Sequence, residues 1–212
     1  MEATWTHRNE QLVSDTIPTV FLKPGREKSL RHRHPWVFSG AIERVEGAPG
    51  MGETVTVAAH DGSFLAHAAY CPQSQIRARA WSFEEADRID AAFLEKRLAA
   101  SIARRGSMRP GTDAVRLVHG ESDGLPGVVV DRYADVAVVQ LLSAGAERWR
   151  DILGPAIARA AGVGTVFERS DVEVRSLEGL APKVGPLVGG QPAPVRITED
   201  GIAYEVDVVG GQ

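Results

Sequence analysis

The chain has 212 residues, a net charge of −4, 43% apolar and 25% charged residues. That composition is ordinary for one or two globular domains with a real core. One cysteine, Cys71, excludes an internal disulfide and a cysteine-based zinc site, and fits a reducing, cytoplasmic setting. No signal-peptide pattern is visible in Met1–His7, and no apolar stretch approaches the ~20 residues that cross a bilayer, so no membrane partner is expected. The acidic total argues against nucleic acid, but phosphate binding needs a local patch, not a basic sum.

Residues 1–18 read as a polar extension. Residues 19–83 read as a small β unit with one short helix. Within it, Thr54–Val57 alternates as a half-buried strand, and Asp61-Gly62 marks a hairpin leading to Phe64-Leu65-Ala66. Ile76–Trp81 alternates again and puts Arg77 and Arg79 on one face. Then the period changes. Ile89, Phe93, Leu94, Leu98 and Ile102 fall at helical spacing, with Asp90 as N-cap and Gly106 just past the end. Ser107–Asp113 reads as a loop. Strands follow at Val115–Val118, Val128–Val130, Val136–Leu142 and Thr165–Glu168. A helix over Trp149–Ala160 carries Pro155, which predicts a kink or a late start. These elements make an α+β unit over residues 88–190. The Gly- and Pro-rich stretch Gly185–Pro194 reads as a linker, and Val195–Val209 as a hairpin turning at Glu199-Asp200-Gly201.

The segment Lys23–His34 runs against the overall balance. Lys23, Arg26, Lys28, Arg31 and Arg33 face only Glu27, a local surplus of four positive charges. His32 and His34 add charge if protonated beside phosphate. Trp36 and Phe38 follow at strand spacing. Cations that neutralise phosphates, next to rings that stack on unpaired bases, suit RNA. The competing reading is that the rings are core and the charges a solvated helix face. Arg77 and Arg79 either extend the patch or form an ordinary strand face.

Lys23–Leu30 followed by Arg33–Gly40 resembles the N-terminal PUA domain of RlmI-type bacterial 23S rRNA cytosine-5 methyltransferases, and Ser74–Trp81 resembles the end of that domain. The likeness continues through Gly120–Gly127, Val130–Arg132, Gln140–Ala146 and Glu168–Val172. It implies a PUA-type β pseudo-barrel, a central α+β domain, and then a C-terminal Rossmann-like domain that binds S-adenosylmethionine, which is expected to lie beyond this sequence. It also implies 23S rRNA as partner rather than DNA, and a possible homodimer. Residues 191–212 are then the linker and hairpin leading to the catalytic domain. A complete non-catalytic RNA-binding protein is the alternative reading.

Chemistry within the chain is sparse. Gly162-Val163-Gly164 follows a helix and precedes a strand, the wrong order for a nucleotide cradle, so no S-adenosylmethionine binding is expected here. Cys71-Pro72 lies in a loop between two strands and reads as a structural thiol. Glu121-Ser122-Asp123-Gly124 near His119 reads as a tight turn; a small-molecule enzyme would need a deep pocket beside His119 and Asp123. The six histidines lack metal-ligand spacing.

Overall fold

The structure, a computed structural model, describes residues 17–105 and 111–211. Most of the N-terminal extension, the helix-end glycine Gly106 and most of the following loop lie outside those residues.

The first unit is a six-stranded mixed sheet. Its strands are β1 (Thr19–Leu22), β2 (Trp36–Phe38), β3 (Ile42–Glu46), β4 (Thr54–Ala58), β5 (Phe64–Tyr70) and β6 (Ile76–Ser82). They pair in the order β2-β6-β5-β4-β1-β3. Helix α1 (Lys28–Arg31) crosses between β1 and β2. The alternation of β4 buries Val55 and Val57. With Val20, Leu22, Leu30, Val37, Ala68 and Ala80 they form one core. Both edge strands pack on that core, so the sheet curls around it.

The second unit is a five-stranded sheet of order β11-β10-β9-β8-β7. It comprises β7 (Ala114–His119), β8 (Val128–Tyr133), β9 (Val136–Leu141), β10 (Thr165–Ser170) and β11 (Lys183–Val188). Helices α2 (Ala91–Arg104), α3 (Ala144–Arg148) and α4 (Arg150–Ala161) accompany it. Asp90 caps α2 by accepting from the Phe93 N–H, 2.9 Å, as its sequence position suggests. Period-two alternation divides the faces of β9: Ala137, Val139 and Leu141 join the helix-side core, while Val136, Val138 and Gln140 face away. Antiparallel pairs join β7, β8 and β9, and the α3–α4 crossover makes β9 and β10 parallel.

Two sequence expectations need correction. Helix α4 runs through Pro155 without a break; the interruption lies earlier, at Trp149 between α3 and α4. A single proline removes one N–H donor, and the buried Leu153, Ala156 and Ile157 on either side keep the helix on the sheet. The supposed linker Gly185–Pro194 begins inside β11. Pro186 is tolerated there because β11 is an edge strand, where a missing N–H breaks no ladder on the open side.

Strands β12 (Val195–Glu199) and β13 (Ile202–Val206) form the expected hairpin. Asp200 and Gly201 both have positive φ, 50° and 82°, the two-residue turn that matches strand twist. The hairpin is docked rather than loose: Val195 and Ile197 pack on Val136 and Tyr133 of the second sheet. Arg169 donates to the carbonyls of Val208, Val209 and Gly211.

The two larger sheets share a packed seam. Trp81 of β6 is 1% exposed and sits in the core of the second unit. Gly145 lets α3 approach that close, since a Cβ there would fall 2.4 Å from the Cβ of Ala69.

Candidate RNA interface

Helix α1 turns Leu30 into the core and leaves Lys28 and Arg31 in solvent. The chain leaves α1 through a Schellman turn: the Arg33 N–H reaches the Leu30 carbonyl at 2.8 Å, and the His34 N–H reaches Ser29 at 3.0 Å. Arg33 has φ 60° at the position where glycine is usual. That strained turn swings the chain back into β2 and keeps His32, Arg33 and His34 exposed.

Lys23 donates to the Gly40 carbonyl at 3.0 Å, tying the approach to α1 to the end of β2. Arg33 meets Glu84 at 2.8 Å, an exposed pair of little energetic weight. Among the described residues, Arg26, Lys28 and Arg31 make no ion pair. Beside them Phe38 is 50% exposed. His34, Trp36 and Phe38 form an edge-to-face series with centroids 5.6 and 6.3 Å apart. A groove of about 300 Å³ runs between α1 and β2, lined in part by Arg26, Leu30, Trp36 and Phe38.

Trp36 is not free to swing. Its indole N–H donates to Glu121 Oε1 at 2.8 Å, a residue of the short 3₁₀ turn after β7. Arg79 pairs with Trp36 across β2 and β6 and donates to the same oxygen at 3.0 Å. Its other arm donates to Glu178 Oε1 at 3.0 Å, and Glu178 also accepts from the Ala144 N–H. Arg79 is therefore not an outward extension of the patch. Its strand face meets the second unit, and its charge is consumed by two carboxylates there. Arg77 donates to the Pro72 carbonyl and is half-buried. Alternation places both arginines on one face correctly, but it cannot say what covers that face.

The Gly120–Gly127 segment is a structural turn. Asp123 is buried; it accepts from the His119 N–H at 2.6 Å and pairs with Arg104 and Arg105. Burial pushes its carboxyl up, but the hydrogen bonds from Arg105, Arg104 and the His119 N–H outweigh that and hold it at about 2. A carboxylate so acidic is no general base near neutrality. The cavities of about 510, 300 and 380 Å³ among the described residues are lined by neither His119 nor Asp123. Because the folded value lies below the ordinary 3.8, the stabilisation is full above about pH 4 and lost as pH falls toward 2. Asp123→Asn is expected to cost on the order of 2 kcal/mol at neutral pH and to flatten acid unfolding between pH 4 and 2, read by urea titrations at each pH.

Cys71 is buried, its thiol 3.4 Å from the Glu178 carbonyl, and burial pushes its pKa up. That is the reverse of an activated nucleophile. Gly162 is the left-handed C-cap of α4, leading into β10. The Gly162–Gly164 turn therefore runs from helix to strand, the reverse of the strand-to-helix order of a nucleotide cradle. No helix among the described residues is long and apolar enough to cross a membrane.

Residues 20–83 match the family model of a PUA-like domain. Ribosomal RNA large subunit methyltransferase I of Pseudoalteromonas translucida is 50% identical over 196 residues, covering 91% of this chain and 49% of its own length. The protein of that name from Klebsiella pneumoniae is 46% identical over 203 residues, covering 94% and 51%. The chain is a homologue of these large-subunit ribosomal RNA methyltransferases. It spans about half the length of the curated relatives it matches. A Streptococcus mutans protein described as a SAM-dependent methyltransferase shares the fold, with TM-score 0.71 at 20% identity over 91% of this chain and 49% of its own. A second structure, described as a methyltransferase complexed with SAH, gives TM-score 0.73 at 19% identity over 92% and 49%.

Sequence reasoning reached the cations and the aromatic pair. It missed Glu121 and Glu178 as their anchors. Glu121 stood inside a turn motif with nothing to connect it to Trp36, and Glu178 carried no signal at all.

Proposed function

We propose that this chain is the rRNA-binding part of an S-adenosylmethionine-dependent 23S rRNA cytosine-5 methyltransferase, with residues 19–83 gripping RNA and residues 88–190 presenting it. The observation that carries this reading is the surface where Arg26, Lys28 and Arg31, unpaired among the described residues, adjoin the half-exposed ring of Phe38. Cations hold phosphates there while the ring offers a face to an unpaired base. Arg33, His32 and His34 line the same edge, and Lys23 steadies its base. Methyl transfer falls to residues outside those described; the helix-to-strand order of the Gly162–Gly164 turn supports that division.

Two measurements test it. A 23S rRNA fragment should bind more tightly than an equal length of unrelated duplex at matched salt; equal affinity would remove the ribosomal assignment. Calorimetry with S-adenosylmethionine should give no isotherm, and clear micromolar binding would overturn the division of labour.

A further inference from the structure

Trp36 lies on a strand that does little to hold it. Strand β2 is three residues long, sits at the edge of its sheet and pairs with β6 alone, with a register shift before Phe38. It follows the strained Arg33 turn. A short edge strand is tied on one side only, so the direction of its side chains depends on what they touch. The Trp36 ring is touched on several sides. His34 and Phe38 meet it edge-to-face, and the Arg79 guanidinium carbon lies 5.5 Å from its centroid. Its N–H is held by Glu121.

Glu121 is out of place by charge. A carboxylate beside an edge that gathers phosphates repels them. The turn it belongs to is closed without its side chain, by the Gly124 N–H on the Glu121 carbonyl at 3.0 Å and the Leu125 N–H on the Gly120 carbonyl at 3.1 Å. The Glu121 carboxylate is given over instead to Trp36 and Arg79, both in the first unit. Arg79 offsets its charge and is itself held by Glu178, whose second oxygen accepts from the Ala144 N–H at the start of α3. A chain of bonds therefore runs from the aromatic edge into the helices of the second unit.

We infer that Glu121 is a positioning residue for RNA: it acts through Trp36, fixing the indole at the angle at which the aromatic edge meets a base, so that a residue of the second unit sets the RNA affinity of the first. The inference rests on the RNA-binding reading. A ring already fixed gives up no rotamer freedom when a base arrives, whereas a loose ring must be ordered at that moment. Charge alone predicts the opposite sign. Removing a carboxylate from a phosphate-binding edge tightens RNA binding; removing an anchor weakens it.

Glu121→Ala should weaken binding of the 212-residue chain to the 23S rRNA fragment roughly fivefold, with the slope of log K against log salt unchanged, because no phosphate contact is lost. Glu121→Gln keeps the acceptor oxygen and should stay within about twofold of the unaltered chain. Trp36→Phe, a ring without the N–H, should lose about as much as Glu121→Ala, and joining the two changes should add nothing further. Unchanged or tighter binding by Glu121→Ala, or losses that add in the double variant, overturns the inference. Should Glu121→Ala fail to fold by circular dichroism, the Trp36 indole N–H resonance of the unaltered chain decides: RNA should shift it, and a resonance that RNA leaves in place overturns the inference. After any of these failures the Arg26, Arg31 and Arg33 variant still reads the phosphate edge, and a salt slope unchanged there overturns the RNA reading instead.

Discussion

Changing Arg26, Arg31 and Arg33 together to alanine is expected to weaken RNA binding sharply and to flatten its salt dependence. Each neutralised phosphate releases condensed counterions, so the slope of log K against log salt should fall by about 0.7–0.9 for every phosphate left without its cation. Arg26 and Arg31 reach into solvent free of protein partners among the described residues, so nearly all of their charge is available to phosphate. Arg33 must give up its exposed Glu84 pair, a small loss. The fold should not suffer, because none of the three side chains is buried. Filter binding or fluorescence anisotropy across a salt titration reads the slope, and circular dichroism checks the fold. A slope equal to that of the unaltered chain would end the assignment of this edge to phosphate.

The second large effect concerns stability. Arg79→Met is expected to cost about 3–5 kcal/mol, because it strands Glu178, whose side chain is 2% exposed, without its cation. Glu121 loses one of its two donors as well and keeps only the Trp36 indole. The denaturant midpoint should drop while the slope stays constant, since the surface exposed on unfolding is unchanged. Adding Glu121→Gln and Glu178→Gln to Arg79→Met should restore much of the loss, because the stranded charges are then gone. A cost below about 1 kcal/mol for the single change would mean that apolar packing of Trp81 and Gly145, not the ion pairs, holds the seam. The same network steadies Trp36 at the proposed RNA edge, so the triple variant is also expected to loosen that ring, visible as increased quenching of its fluorescence.

Much of the architecture was legible in order along the chain. Thr54–Val57, Asp61-Gly62, the Asp90 cap and the Asp200-Gly201 turn are local patterns whose physics is settled within a few residues, and the structure carries each of them. Gly185–Pro194 misled because Gly and Pro are breakers in a central strand yet tolerated at an edge, and edge position is a property of the whole sheet. Pro155 does not delay the start of α4, because burial of its neighbours outweighs one missing hydrogen bond.

The candidate site divides the same way. Sequence by itself determined the run of cations around α1 and the spacing of Trp36 and Phe38, because charge density and strand period are local quantities. Only the tertiary structure decided which charges are available. Arg79 looks like Arg26 in a string of letters, but it faces two carboxylates 42 and 99 residues away along the chain. Likewise Trp36 meets its anchor Glu121, 85 residues further along the chain, only when the two units pack together. Whether a side chain is a ligand or a strut depends on what is packed against it, and that is fixed by contacts distant in sequence.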